Sequence, residues 1–247
     1  DNRYLALAAD AGAQTVQSTG TTTFTGSIVT AASINNLTVG RGGGSVSTNT
    51  AIGRDALDSN TTGAYNTAVG HLTLKENTTG ANNTALGQYA LLKNTEGENN
   101  NALGQDVLVN NTTGNGNTAI GRSALYNNTE GDYNTAVGNN ALRGNTTGIN
   151  NTAIGRDTLY NNITGEFNTA LGLNALLKNT EGNYNTALGN QSLLNATTGS
   201  GNIGFGGRNS TGTYDPVFDL MTEDNRIVMG HTSVTDAYVQ VAWTVTS

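Results

Sequence analysis

One 17-residue stretch decides the fold: residues 117–133 read NTAIGRSALYNNTEGDY, and close copies precede and follow it. We number the unit from its first Asn, which places the strand-like Thr-Ala-aliphatic-Gly at positions 2–5, a Leu at position 9 and a second Asn at position 12. The first Asn recurs as Asn49, Asn66, Asn83, Asn100, Asn117, Asn134, Asn151, Asn168, Asn185 and Asn202. The Leu is the same in the first nine copies: Leu57, Leu74, Leu91, Leu108, Leu125, Leu142, Leu159, Leu176 and Leu193.

Strict repetition at a short period predicts an all-β protein, a parallel β-solenoid or β-roll of ten 17-residue coils. In such an array each coil buries apolar side chains only against its neighbours. The strand candidate is Thr118 to Gly121, where alternate residues point to opposite faces. We expect the row of Ile120 and its equivalents to lie inside the coil. The bare row of Ala119 and its equivalents is then expected to face a neighbouring chain.

The remaining half of the unit is ambiguous. The segment from Ala124 to Asn128 is compatible with a short strand or with one helical turn, and in both cases Leu125 points inward. The Gly at position 15, such as Gly131, is expected to supply a positive φ in a turn. The Asn at position 12 is expected to bond its own backbone or to form a ladder with the Asn one coil away.

The composition bounds the function. Only 35% of the 247 residues are hydrophobic, against about 45–50% in a typical globular domain, so we expect partner chains to complete the burial of apolar surface. The net charge of −7 argues against a nucleic-acid partner. There is no Cys, which excludes disulfides and thiolate metal sites. No apolar run approaches the roughly 18–20 residues of a membrane-spanning helix.

The chain divides into three regions that differ in composition and in the presence of the repeat. Residues 1–48 are rich in Thr, Ser, Ala and Gly and predict a β-rich, shaft-like segment with strands near 21–29 and 34–39. Residues 49–207 are the repeat array. Residues 208–247 lack the 17-residue repeat, and their sequence predicts strands at 226–229 and 238–245.

The repeat resembles those of two classes of fibrous protein. The unit from Ala119 to Thr135 resembles the head repeats of trimeric autotransporter adhesins, and arrays of Asn-Thr-Ala-Ile-Gly are similar to those of phage tail fibres and tail spikes. The resemblance covers about 160 residues and implies a left-handed parallel β-roll that forms a homotrimer.

The C-terminal region favours the second class. Asp224 to His231 and Ala237 to Ser247 resemble the segment that precedes the intramolecular chaperone of endosialidase-type tail proteins. The resemblance implies that the chaperone drives trimerisation and then cleaves itself off after a Ser, which assigns Ser247 as the processing residue. Residues 208–247 are then the β segment before a removed chaperone.

Aromatic residues at two variable positions of the unit are the candidate binding residues. Because the period is fixed, side chains at one position fall on one face of the array, and aromatic rings flanked by Asn suit sugars. Packing between chains or over coil edges is the alternative explanation. The candidates for glycan contact are Tyr65, Tyr126, Tyr133, Tyr160, Phe167 and Tyr184.

No catalytic or cofactor site is predicted. His71 and His231 lie far apart in the sequence without an acidic partner at a recognisable spacing, and we predict neither a metal nor a cofactor. Glu96, Glu130 and Glu181 share position 14, and the favoured interpretation is that they are solvated turn residues. Glycosidase chemistry needs two carboxylates about 5–10 Å apart, and a pair formed across subunits is the alternative.

These observations lead to one main functional hypothesis. The chain is expected to be a structural, receptor-binding part of a phage tail fibre or tail spike, a virion protein that adheres multivalently to host-surface glycan or lipopolysaccharide. Its expected partners are two further copies and other tail proteins, without nucleic acid or membrane insertion. The alternatives are an extracellular adhesin head on a bacterial surface and a tail spike that cleaves glycans.

Overall fold

The computed structural model describes residues 32–34, 37–206 and 221–229. The described chain consists of short strands joined by turns, with one short 3₁₀ helix at Gly43–Ser45. The strands are β1 Ala32–Ile34, β2 Leu37–Gly40, β3 Thr50–Ile52, β4 Thr67–Val69, β5 Thr84–Leu86, β6 Asn101–Leu103, β7 Thr118–Ile120, β8 Thr135–Val137, β9 Thr152–Ile154, β10 Thr169–Leu171, β11 Thr186–Leu188, β12 Ile203–Phe205 and β13 Ile227–Met229.

All of these strands belong to one sheet, in which they follow one another in sequence order. From β3 to β13 the pairing is parallel, whereas β1, β2 and β3 pair antiparallel. Equivalent residues face each other, as in the pairs Ala102–Ala119 and Ala119–Ala136. The prediction of a parallel β-solenoid with 17-residue coils is therefore confirmed.

The interior contradicts the expected orientation of the strand. The Ala at position 3 is fully buried, as at Ala119, while the aliphatic residue at position 4 faces outward, as at Ile120. The reason is the narrow coil. Gly204 occupies position 3 in its coil, and a Cβ there would come within 2.6 Å of Leu193 Cγ and 2.7 Å of Ser192 Oγ. The Leu at position 9 fills the coil, so only a small side chain fits opposite it.

The second segment of the unit is a turn rather than a strand or a helix. Position 9 adopts a left-handed backbone with φ between 49° and 53° in all nine copies of the Leu, and position 7 does the same in its coils. A bulky residue in this region is a backbone outlier that costs about 1–2 kcal/mol. Each of these Leu side chains is buried, and its burial offsets that strain.

Two ladders of buried Asn side chains support the turns. At position 12, Asn77 Nδ2 donates to Asn60 Oδ1 (2.8 Å) and to the carbonyl of Gly80 (3.0 Å), so both expected bonds are formed. At position 1, Asn66 Oδ1 accepts from the backbone N–H of Asn83 (3.0 Å). Because buried polar groups need hydrogen-bond partners, these ladders hold each coil in register with the next.

The Gly at position 15 is required for a different reason from the one expected. In the described coils it has no left-handed φ. A Cβ at Gly131 would instead lie 2.5 Å from both Asn128 Oδ1 and the carbonyl oxygen of Gly148. This Gly therefore makes room for the Asn ladder and for the next coil.

The stack continues beyond the repeats. The N–H of Thr197 donates to the carbonyl of Met221 (2.7 Å), and β13 extends the parallel ladder after β12, with Val228 buried at the position of the inner Ala. The strand predicted at 226–229 is confirmed. The single strand predicted at 34–39 is wrong, because β1 ends at Ile34 and β2, which begins at Leu37, pairs antiparallel with it. The strands predicted at 21–29 and 238–245, and the processing residue Ser247, lie outside the described residues.

Candidate functional site

The outer face of the sheet is an uncharged strip. It consists of position 2, mostly Thr, and position 4, always apolar. Leu86 and Leu171 are 49% and 47% exposed, and Ile120, Ile154 and Phe205 are also exposed. Ten stacked strands, β3 to β12, extend this strip to about 43 Å at the usual strand spacing. An uncharged strip of this length with a continuous apolar row at position 4 is typical of an interaction surface.

Four of the six candidate aromatic residues lie in the row at position 17. Tyr65, Tyr133 and Tyr184 are 63–65% exposed, and Phe167 is 41% exposed. The rings of Phe167 and Tyr184 stack in parallel with centroids 5.0 Å apart. Tyr133 lies over Gly116, where an added Cβ would come within 2.6 Å of its ring. These four side chains lie in one row along one edge of the solenoid, which we call the aromatic ridge, and the coils between them have Asn or Gly at the same position.

The backbone at this ridge is strained. Tyr65, Tyr133, Phe167 and Tyr184 have φ between 55° and 59°. At the same position other coils have Asn or Gly, for example Asn82, and these residue types tolerate a left-handed backbone best. The aromatic residues are therefore placed where the backbone disfavours them, and the three Tyr side chains remain mostly in solvent.

The other two candidates, Tyr126 and Tyr160, lie in a separate row at position 10. Arg143 lies between them in the intervening coil, with its Cζ 5.1 Å and 5.8 Å from the two ring centroids. Arg143 Nη1 donates to Tyr160 Oη (3.2 Å). All three side chains are half-buried. The structure thus divides the six candidates between two edges rather than gathering them in one site.

The sequence hypothesis did not include Arg143. The signal was present, because position 10 reads Tyr, Arg and Tyr in three successive units and Gly144 replaces the polar residue of the neighbouring units at position 11. Stacking in register converts these spacings of 17 residues into contacts.

The acidic residues at position 14 do not form a cleft. Glu96, Glu130 and Glu181 are exposed. His71 contacts Arg54, and its ring lies 5.7 Å from that of Tyr89, while His231 is outside the described residues. Within the described ranges, no group of three or more His, Cys, Asp or Glu is arranged to hold a metal ion.

Two further findings concern the chain as a whole. Across residues 32–34, 37–206 and 221–229 there is no helix with the length and hydropathy needed to span a bilayer. Neither the protein-family models nor the curated proteins nor the solved structures contain a match to this chain.

The exposed aromatic rows offer groups that are complementary to sugars. Exposed Tyr and Phe rings present apolar faces together with hydroxyl groups, and neighbouring Asn side chains present donors and acceptors. Pyranose rings have complementary apolar C–H faces and hydroxyl edges.

Proposed function

We propose that this chain is the rod-like, receptor-binding part of a homotrimeric phage tail fibre or tail spike that attaches to host-surface glycans. The observation that carries the proposal is the aromatic ridge at position 17, defined by Tyr65, Tyr133, Phe167 and Tyr184. Strained backbone that the local packing does not explain is concentrated at functional sites. Exposed rings on a strained backbone support a binding role, because they contribute little to the stability of the coil.

The uncharged strip supports the trimer. The chain carries a net charge of −7, yet positions 2 and 4 bear no charge in any of the ten units. A strip free of charge can approach an identical strip without electrostatic repulsion. Three copies around a common axis bury all three strips equally. The resemblance to trimeric fibres implies the same arrangement.

Multivalency supplies the mechanism. A single ring–sugar contact is weak, but a trimer presents each aromatic ridge three times along a stiff body. Once one contact has formed, the others bind at high effective concentration, so the avidity exceeds the affinity of any one contact. A stiff rod also keeps the ridges at fixed separations, which limits the entropy lost on binding.

Two measurements on the same sample test the proposal. Light scattering is expected to give three times the 25.4 kDa of one chain, and Val137→Glu on the uncharged strip is expected to reduce that mass, whereas Asn139→Glu outside the strip is not. A glycan array is expected to retain the wild-type rod and to lose it in the variant Tyr65→Asn/Tyr133→Asn/Tyr184→Asn. A monomeric wild-type chain, or retention unchanged in that variant, contradicts the proposal.

The glycan-cleaving alternative is tested by the same preparation. Incubation with host lipopolysaccharide or capsular polysaccharide is expected to leave the polymer length unchanged. Release of oligosaccharides that persists in Glu96→Gln, Glu130→Gln and Glu181→Gln variants would place the activity outside this row. Loss of the release in one of them would assign a catalytic carboxylate and replace the adhesive role by an enzymatic one.

A further inference from the structure

The row at position 10 contains a cation held between two aromatic rings. Tyr126, Arg143 and Tyr160 come from three successive coils, and the Arg143 guanidinium lies over both rings at 5.1 Å and 5.8 Å. The bond from Arg143 Nη1 to Tyr160 Oη fixes one edge of the guanidinium (3.2 Å). The side chain is therefore oriented before any ligand arrives, and this reduces the entropy lost on binding.

Arg143 lacks an acidic partner. The ion pairs of the described residues join Arg54 to Asp55, Arg156 to Asp157 and Arg226 to Glu223, and none involves Arg143. Within the described part of the chain, the Arg143 side chain makes one hydrogen bond, through one N–H. The planar fork of a guanidinium matches a carboxylate in a bidentate geometry. A half-buried, oriented and unpaired Arg is thus suited to an anionic ligand group.

A notch beside Arg143 provides space for such a ligand. Its volume is about 410 Å³, within the usual range of roughly 300–1,000 Å³ for small-molecule sites. Its lining residues are Asn127, Arg143, Gly144, Tyr160, Asn161, Ile163 and Thr180. The lining therefore combines a cation, an aromatic ring, two primary amides and a hydroxyl group.

Gly144 opens the notch. The neighbouring coils have Asn127 and Asn161 at this position, and Gly144 has no left-handed φ. A Cβ at Gly144 would lie 2.7 Å from the backbone carbonyl oxygen of Tyr160, so the glycine is required by the close approach of the next coil, and no side chain stands between the two Asn residues. At Ile163 the unit departs again from its usual residue, because the other units have Thr at position 13, and this substitution adds an apolar wall.

From this geometry we infer that the Arg143 notch binds a pyranose that bears one carboxylate, such as a uronic acid residue of a surface polysaccharide. This inference rests on the proposed glycan-binding function and adds a substrate class and a site to it. The Arg143 fork receives the carboxylate, the Tyr160 ring supports a C–H face of the sugar, and the amides of Asn127 and Asn161 bond its hydroxyls.

The charge of the chain limits the ligand to one anionic group at a time. A net charge of −7 per chain repels a dense polyanion at long range, whereas a single carboxylate gains a short-range, charge-assisted pair. The notch is thus predicted to select an isolated acidic sugar among neutral ones. A long run of acidic residues is predicted to bind no better than the isolated sugar.

Binding to immobilised sugars tests the inference. The probes are surfaces carrying glucuronic acid or galacturonic acid, each compared with the same surface after methyl esterification of the carboxylate. The wild-type rod is expected to bind at least one acid surface about tenfold or more tightly than its ester, the difference expected from a charge-assisted hydrogen bond. Arg143→Gln is expected to abolish that difference, and Arg143→Lys is expected to reduce it.

Two further variants separate binding from folding. Asn161→Ala removes an exposed amide from the lining of the notch without adding atoms against the next coil, and it is expected to weaken acid binding about threefold to tenfold with an unchanged circular dichroism spectrum. Arg122→Gln makes the same charge change at an exposed Arg outside the notch and is expected to change binding less than twofold. These controls show whether a loss in Arg143→Gln reflects the notch or the net charge.

The outcomes distinguish this site from the adhesive role itself. Equal binding to acid and ester surfaces, or equal losses in Arg143→Gln and Arg122→Gln, overturns the notch. If neutral glycans still retain the rod through the ridge residues, the proposed function stands without the notch. A rod that no glycan surface retains defeats both proposals.

Discussion

The interior and the edges of each coil obey different rules. Inside, position 9 is Leu in all nine units, and position 3 is Ala in nine of ten strands. At the edges, positions 10 and 17 hold charged, aliphatic, aromatic, amide and glycine residues in different units. A stacked coil is held through its interior, so any departure there affects two neighbours at once. The edges are free to vary, and they carry the groups proposed to bind glycan.

The same contrast separates adjacent asparagines. Asn128 at position 12 is fully buried, donates to Asn111 Oδ1 (2.8 Å) and accepts from Asn145 Nδ2 (2.7 Å). Asn127 at position 11 is half-buried and lies at the edge of the notch. Identical side chains one residue apart therefore have a structural role in one case and a surface role in the other.

Removing chain from the array provides the most drastic test of the interior. Excision of residues 118–134, one complete unit, is expected to leave a shorter folded solenoid, because every remaining interior side chain keeps an equivalent partner. Excision of residues 118–125 alone is expected to disrupt the array. The register between neighbouring coils is then lost, and the buried Leu and Asn side chains of one coil no longer lie against their equivalents in the next. Circular dichroism and small-angle scattering measure the two effects. A folded product from the shorter excision would contradict the stacking rule.

A single Leu at each kind of position gives the next largest contrast. Leu125→Ala is expected to lower the free energy of unfolding by about 3–5 kcal/mol, the upper range for a fully buried Leu. Leu92→Ala removes the same atoms at position 10, where the side chain is half-buried, and is expected to cost less than about 1.5 kcal/mol. Denaturant titration measures both. Equal losses would mean that the rows do not differ as described.

The repeat itself made the fold predictable, whereas the direction of the strand required the structure. A fixed 17-residue spacing with an invariant Leu is sufficient to infer stacked coils. The spacing does not tell whether Ala119 or Ile120 points inward. Side chains alternate between the two faces of a strand, and the period alone does not identify which face is the inner one. General preferences favour burying Ile, and that reasoning was wrong here because Leu125 already fills the coil. Bulk is therefore a poor guide in a core only a few side chains wide.

The sequence predicted which candidate residues share a row of the solenoid, but not which other residues lie beside them. The period correctly grouped Tyr126 with Tyr160 at one position and the remaining aromatic residues at another. Recognition of Arg143 required the coil that lies between the two rings, and recognition of the notch required the missing side chain at Gly144. A residue that is absent from a pattern gives a weak sequence signal unless the neighbouring coils are compared at the same position.

The asparagine pair gives a smaller contrast. Asn128→Ala breaks the ladder and leaves Asn145 Nδ2 and Asn111 Oδ1 each without one partner, so we expect a loss of about 1–3 kcal/mol in the free energy of unfolding. Asn127→Ala is expected to change it by less than about 0.5 kcal/mol, while it weakens binding of acidic sugar at the notch. Comparable destabilisation of the two variants would show that position 11 also holds the coils together.

The smallest expected effect concerns the strain at the aromatic ridge. Tyr133→Asn places a residue that tolerates the left-handed backbone where φ is 56°, and it is expected to stabilise the fold by about 0.5–1 kcal/mol. Tyr126→Asn serves as the control, because the backbone at position 10 is not left-handed and no strain is relieved. Glycan retention is expected to fall in Tyr133→Asn although its melting temperature rises. A destabilised Tyr133→Asn would mean that the ring, which lies over Gly116, contributes packing that exceeds its strain. The ridge would then belong with the interior rather than with the binding edges, and the distinction between the two would have to be drawn elsewhere on the coil.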